Sequence, residues 1–301
     1  MRICFFGTYA RGEGYPVNRV LIKGLERAGA QVFECREDLW GPFLYRAYRG
    51  RSWRGLIALG LRAAACYARL VWRYLRSPAH EVVVVGYAGY LDVHLARLLA
   101  AGRGRHVLLV SFISLYDTLV CDRQEVAAAS WRGRWLWHVD HWAFRAAHAV
   151  LADTEALCAY YATTFGLPRA HFVRSFVGED DDEFGPRTVR PGGAELQVLF
   201  FGTYVPLHGV EVIVDAATAL REDSGLRFTL VGAGQLYPGL RRRADERGLA
   251  QVSFVDRWVS TAELVERIAA ADVCLGIFGQ TAKAERVIPY KVYDALAVGR
   301  P

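Results

Sequence analysis

Short runs of continuous apolar residues recur along this chain, each followed by a stretch with helical spacing. VVVV at 82–85 and HVLLVSF at 106–112 lack the in–out alternation of a half-exposed strand. They predict strands covered by helices on both faces. Such strands pair in parallel through crossover helices. RICFFG (2–7), VFEC (32–35), AVLADT (149–154) and the later HFVRSFVG read as further strands. Between them, VNRVLIKGLERAG (17–29) has apolar positions at Val17, Val20, Leu21, Leu25 and Ala28 and a helix stop at Gly29. LDVHLARLLAAG and the residues leading to Tyr161 are also helical.

The alternation breaks once, at EDDDEFGPRTVRPGG (179–193), where Pro, Gly and clustered acids carry no periodicity. It then restarts with LQVLFFG (196–202), VEVIVDAATALRE, RFTLVGAG, LRRRADERGL, VSFVDRW, TAELVERIAAA, DVCLGIF and PYKVYDALAVG. A chain of 301 residues accommodates two domains. The expectation is an α/β protein of two Rossmann-like parallel-sheet domains, 1–185 and 186–301. The last helix is followed only by Gly299-Arg300-Pro301, so the second domain reads as incomplete. The pentapeptide FFGTY occurs at Phe5–Tyr9 and again at Phe200–Tyr204, both times where a strand gives way to a helix.

Composition narrows the class. Apolar residues make up 53% and charged residues 23%, the balance of a folded globular chain. Six cysteines form no C-x-x-C pair, which favours reduced thiols in a cytosolic protein. A strand opening at the first residues predicts no signal peptide. The net charge of +6 is arginine-based; the lysines are Lys23, Lys283 and Lys291.

Ligands of open parallel sheets sit beyond the carboxyl ends of the strands. Gly7 and Gly202 let the backbone come close to a ligand there, and Thr8 and Thr203 offer hydroxyls. The following helix N-terminus favours an anion. The glycine of each turn also has a purely conformational reading. Gly232-Ala233-Gly234 opens a third such turn, and no G-x-G-x-x-G or P-loop is present.

The ordered set FFGTYVPLHGVEVIVDAATAL, LVGAGQLYPGLRRRADERGL, VSFVDRWVSTAELVERIAAADVCLGIF and IPYKVYDALAVGRP resembles the donor-nucleotide domain of GT-B glycosyltransferases, and most closely family 4 (group 1). ADTEALCAYYATTFGLPRAHFVRSFVGEDDDEF resembles that family's last N-domain strand, helix and crossover. The resemblance is strongest over 196–301 and weakest over 36–80.

It implies a retaining, metal-independent transfer of a sugar from a nucleotide-sugar donor to a glycan or lipid-linked acceptor, in polysaccharide or glycolipid assembly in a bacterium. The donor is a substrate, and no cofactor or metal is expected. A leaving diphosphate needs fixed cations and donors. The family supplies an Arg and a Lys after the first C-domain strand, where this chain has Thr203 and His208. His208 carries charge only when protonated, near a pKa of about 6.5, and Lys291 and Arg286 are expected to compensate. The family's acid pair maps its ribose-binding member onto Asp294; the sugar-contacting member falls at Arg286, one residue from Glu285. Trp258 and Val259 match the base-contacting loop, with loop packing an equal alternative for Trp258. In the N-domain, Gly12, Glu13 and Gly14 match a diphosphate-side loop. Tyr116, Asp117 and Thr118 match the place of a cleft acid, with Asp117 as acceptor contact or as a turn cap. Both FFGTY turns would then face one cleft. Asp117, Glu285 and Lys291 are thus the catalytic candidates, and Gly7, Gly12, Gly14, Gly202, Thr203, His208, Gly232, Trp258, Val259, Arg286 and Asp294 the donor-binding ones. A non-catalytic sugar-nucleotide-binding member or a GT-B epimerase is the alternative.

Two motifs invite metals. His138 and His141 stand three apart in HVDH, without a third ligand in the sequence. Glu179–Glu183 is an acidic run that falls in the linker and reads as solvated. Between Asp38 and Glu81 no acid occurs, while eight arginines interleave with Tyr and Trp. Three arginines inside GLIALGLRAAACYARLVWRYL (55–75) argue against a membrane span. The segment 45–76 is expected to lie as a basic amphipathic helix on an anionic membrane surface, or to pack on the sheet with its arginines solvated. Nucleic acid is not an expected partner, since no recognition motif accompanies the charge. The location expected is the cytoplasm, peripheral to the inner face of the membrane.

Overall fold

The computed structural model describes residues 1–9, 16–39, 53–188, 193, 195–223 and 225–301. Two compact units are formed. The first comprises Met1–Tyr116 and Ala128–Val177, and the second Asp117–Ala127 and Gly178–Pro301. The division between them falls at 177/178, not at 185/186, and the short segment 117–127 belongs to the second unit.

The first unit holds a six-stranded parallel sheet of order β2-β1-β3-β4-β5-β6. Its strands are β1 (Arg2–Gly7), β2 (Gln31–Arg36), β3 (Val82–Val85), β4 (His106–Val110), β5 (Ala149–Ala152) and β6 (Phe172–Arg174). The helices are α1 (Val17–Arg27), α2 (Trp53–Leu75), α3 (Asp92–Ala101), α4 (Trp131–Ala146) and α5 (Glu155–Phe165). Side chains from α2, α3, α4 and α5 share one core with β1, β3, β4 and β5, including Phe6, Tyr74, Val85, Phe144 and Tyr161. These four helices therefore form one layer on one face of the sheet. Each aromatic buried there contributes roughly 1.5–3 kcal/mol of transfer free energy.

Local signals set the helix ends. Ser130 caps α4 by accepting from the Gly133 N–H, and Thr154 caps α5 by accepting from Leu157. Gly166, at φ +64°, ends α5 in the left-handed conformation.

The second unit holds a four-stranded parallel sheet of order β10-β7-β8-β9. The strands are β7 (Leu196–Phe201), β8 (Leu226–Val231), β9 (Val252–Val255) and β10 (Val273–Cys274). They alternate with α6 (Val210–Ala219), α7 (Tyr237–Glu246), α8 (Thr261–Ala270) and α9 (Tyr290–Val298). Successive residues of β7 point to opposite faces. Phe200 joins the core that includes Tyr204, Ile213 and Leu230, and Phe201 joins the one that includes Phe184, Val265 and Ile268. The uninterrupted apolar run is thus explained by two covered faces.

Candidate functional site

Both FFGTY copies end a strand that has neighbours on both sides, β1 in the first unit and β7 in the second. Gly7 has φ +139° and Gly202 φ +142°, a region that L side chains rarely adopt. What each turn holds is different.

At the first copy, the turn closes on an acid of its own unit. A β-carbon on Gly7 would lie 2.6 Å from Asp92 Oδ2. The Thr8 N–H donates to Asp92 Oδ2 at 2.6 Å, its hydroxyl donates to the same carboxylate, and Tyr67 OH donates to Oδ1 at 2.8 Å. Burial pushes the Asp92 pKa up while these donors pull it down. Gly12 and Gly14 lie outside the described residues.

At the second copy, cationic and aromatic groups meet. A β-carbon on Gly202 would lie 2.9 Å from Lys291 Nζ and 3.1 Å from His208 Cε1. Lys291 stands in the first turn of α9. Its Nζ is buried, has no hydrogen-bond partner among the described residues, and lies 4.0 Å from the centroid of the Phe200 ring. Burial lowers its pKa to about 7. His208 Nδ1 donates to the Thr203 carbonyl, which fixes the tautomer. Burial, reinforced by Lys291, pushes the His208 pKa down to about 3. The charge looked for at His208 is therefore missing at neutral pH: the ring is packed too deeply to be protonated.

Gly232 serves packing. Its β-carbon would overlap the Gly202 carbonyl at 1.9 Å, so β8 crosses the β7 turn at backbone distance. Gly209, at φ +58°, is equally tight against Phe278 and Gly279, and the Phe278 N–H donates to the His208 carbonyl at 3.0 Å. This packs the 276–289 loop against the turn.

That loop carries a second cluster. Asp117 opens a wide π-helical turn, Asp117–Asp122, within the second unit. Arg286 Nη2 donates to Asp117 Oδ1 at 2.8 Å, and Lys283 Nζ lies 3.4 Å from Oδ2. Lys283 also donates to Thr118 Oγ1 at 2.7 Å, and Thr281 to Asp122 Oδ1 at 3.2 Å. Asp117 and Lys283 are buried. Asp117 and Arg286, singled out for different roles, are thus bound to each other, and Lys283, which no motif indicated, joins them. Glu285 between them is exposed.

Asp294 is buried one helical turn after Lys291. Burial first, then the neighbouring Glu179 carboxyl, raises its pKa strongly. Its hydrogen bond to the Glu179 side chain favours the protonated form of Asp294. Glu179, read in the sequence as part of a solvated linker run, instead packs beside Asp294 with a buried carboxylate oxygen, and Asp180 next to it is buried as well. Arg123 is another residue that no motif indicated; its charge acts on His208. Val259 packs against the Phe184 core, while Trp258 is 68% exposed. The metal motifs have local explanations. His141 stacks on Trp137 and bonds the Phe165 carbonyl. Asp180, Asp181 and Asp182 hold carboxylate oxygens within 4.8 Å of one another, in a turn where Asp180 accepts from the Asp182 N–H.

The chain is similar to known proteins in sequence and in fold. Residues 195–301 match the family described as glycosyl transferases group 1. WcaL of Escherichia coli, assigned to colanic acid biosynthesis as a glycosyltransferase, is 27% identical over 139 residues. That alignment takes in 45% of this chain and 34% of the relative, so the match spans about a third of the relative's length. Anabaena HepE in complex with UDP superposes with a TM-score of 0.61 at 15% identity, over 100% of this chain and 79% of that one. WaaG, a glycosyltransferase involved in lipopolysaccharide biosynthesis, gives 0.55 at 15% identity, over 100% and 79%. Segment 195–301 is thus similar to the group 1 glycosyl transferases, and the two parallel-sheet units have the fold of GT-B glycosyltransferases.

Proposed function

We propose that this chain is a retaining glycosyltransferase of glycan or glycolipid biosynthesis that uses a nucleotide-sugar donor. The observation that carries the reading is the buried ammonium of Lys291 beside the Gly202 turn, in the first turn of α9. A buried cation without a hydrogen-bonding acceptor, next to a helix N-terminus, suits a diphosphate. That HepE has been solved with UDP and with UDP-glucose supports the donor class.

In this reading the bond from the sugar C1 to the β-phosphate oxygen breaks, and C1 bonds the acceptor oxygen on the same face. The acceptor proton passes to the leaving phosphate. Lys291 stabilises the charge that develops on that phosphate. Arg286 and Lys283 are held by Asp117 and shape the loop beside the site. Asp294, with Glu179, meets the ribose hydroxyls. The acceptor is a glycan or a lipid-linked glycan. Among the described residues no helix is long and apolar enough to cross a membrane. The arginine-bearing α2, with Leu61 and Trp72 exposed, supports peripheral attachment at the cytoplasmic face of an anionic membrane.

Calorimetric titration with UDP, GDP and their common sugars is the direct test. Binding of one diphosphate, followed by product whose anomeric configuration matches the donor, is expected. Binding to none removes the donor site. A neutral His208 in the family's cation position favours a second reading, a sugar-nucleotide-binding member without transfer. Tight nucleotide binding without turnover over an acceptor panel would select it.

A further inference from the structure

The exposed face of α4 has no role in donor binding, and its composition is unusual. Trp131, Trp135 and Trp142 are 72%, 58% and 52% exposed. Their spacing, with His138 between, puts them in one row along the helix. The opposite face, Leu136, Asp140, Ala143 and Phe144, is buried in the unit. Arg132, Arg134 and Arg145 are exposed beside the row, and the Arg145 guanidinium lies 5.9 Å from the Trp142 ring centroid. Single exposed apolar residues are ordinary, but a contiguous row of tryptophans marks a contact surface.

Charge identifies what makes the contact. The helices α2, α3 and α4 lie in one layer, and their only acids are Asp92 and Asp140. Both are buried and internally bonded: Asp140 accepts from Ser114 Oγ at 2.6 Å and from the Tyr116 N–H at 2.8 Å. The outward charge of these three helices is therefore arginine alone, while Glu155 of α5, the fourth helix of the layer, is exposed and paired with Arg169; Leu98 of α3 is 73% exposed. Tryptophan with arginine on a convex helix suits a bilayer interface: the ring settles at headgroup depth while the guanidinium binds lipid phosphate.

We propose that the outer face of α4 seats on an anionic lipid bilayer through Trp131, Trp135 and Trp142, with Arg132, Arg134 and Arg145 on lipid phosphates. This deepens the peripheral-attachment reading above by assigning the contact to a second helix, and it does not depend on donor binding.

The test is co-sedimentation of the full chain with phosphatidylcholine vesicles containing or lacking phosphatidylglycerol, together with quenching of tryptophan emission by brominated lipid. The chain should bind the anionic vesicles, less so in high salt, and be quenched. The triple variant W131S/W135S/W142S should lose at least tenfold in partitioning, about 1.4 kcal/mol, and most of the quenching. The α2 variant W72S/R76Q should keep the greater part of both. Unchanged partitioning of the triple variant, with loss in the α2 variant, overturns the α4 assignment and leaves the α2 reading standing. Equal binding to neutral vesicles, or none by the wild-type chain, overturns both. Self-association abolished by the triple variant, without vesicle binding, would give the face to a second copy of the chain. UDP affinity, measured on all three proteins, reports separately on the donor site and on folding.

Discussion

The two FFGTY turns have the same sequence, nearly the same glycine conformation and the same place at the end of an interior strand. One is filled by the protein and the other is not. In the first, Asp92 supplies the anion and takes the Thr8 N–H and hydroxyl. In the second, the side chain in the equivalent position is a cation, Lys291, with no hydrogen-bond acceptor among the described residues. A turn that exposes backbone N–H groups is an anion site by construction. Whether it becomes a binding site depends on the charge of the side chain brought to it from a distant helix. A pentapeptide identical in both places therefore says nothing about which copy is functional.

Removing the internal anion should have the largest effect. Asp92→Ala leaves the Thr8 N–H and Tyr67 OH buried without their acceptor, and is expected to cost about 2–4 kcal/mol of stability. Chemical denaturation would show it, with UDP affinity unchanged in the protein that remains folded. A loss of UDP binding at full stability would mean that the filled turn is itself part of the donor site. Lys291→Met should act in reverse: UDP affinity falls roughly 10- to 100-fold, the worth of a charge-assisted contact of about 1.5–3 kcal/mol, while stability holds or rises as a buried charge is removed. Unaltered affinity in calorimetry would refute the assignment of the second turn.

The glycines allow a paired comparison. Gly7→Ala and Gly202→Ala should each destabilise by about 1–3 kcal/mol, through backbone strain and contact with Asp92 or Lys291. Only Gly202→Ala should also weaken UDP. The smallest effect is in pH. Lys291 has a pKa near 7 in the free protein, and a bound diphosphate raises it, so binding above pH 7 takes up a proton. Affinity should then fall about tenfold per pH unit above 7, until the bound-state pKa is reached. Lys291→Arg should flatten the profile, because guanidinium stays charged.

Much of this architecture was legible in the sequence. The runs at Val82–Val85 and His106–Val110 are strands because both faces are covered, which is what their lack of alternation signals. Lys291 could be singled out because it lies near the N-terminus of the last helix, where a cation could make up for those missing at Thr203 and His208. The electrostatic detail could not. His208 looks like a conditional cation until its burial is known, and burial depends on Phe200, Lys291 and the 276–289 loop together. Asp92 reads as the first residue of a helix, with no sign that it closes a turn 84 positions away. The pairing of Asp117 with Arg286 spans 169 positions. No local pattern encodes it, since it depends on how segment 117–127 leaves the fold of its chain neighbours.

That segment bears on how this chain can be recombined. The second unit is not one continuous stretch of gene. Its ion cluster is written partly at codon 117 and partly at codons 283 and 286. An exchange of residues 178–301 between two relatives would look like a clean swap of second units. It would nevertheless bring Lys283 and Arg286 against whatever residue the recipient carries at 117. A chimera that moved 117–127 along with the C-terminal half would keep the acid with its two cations. The ion cluster therefore travels with two separated pieces of sequence.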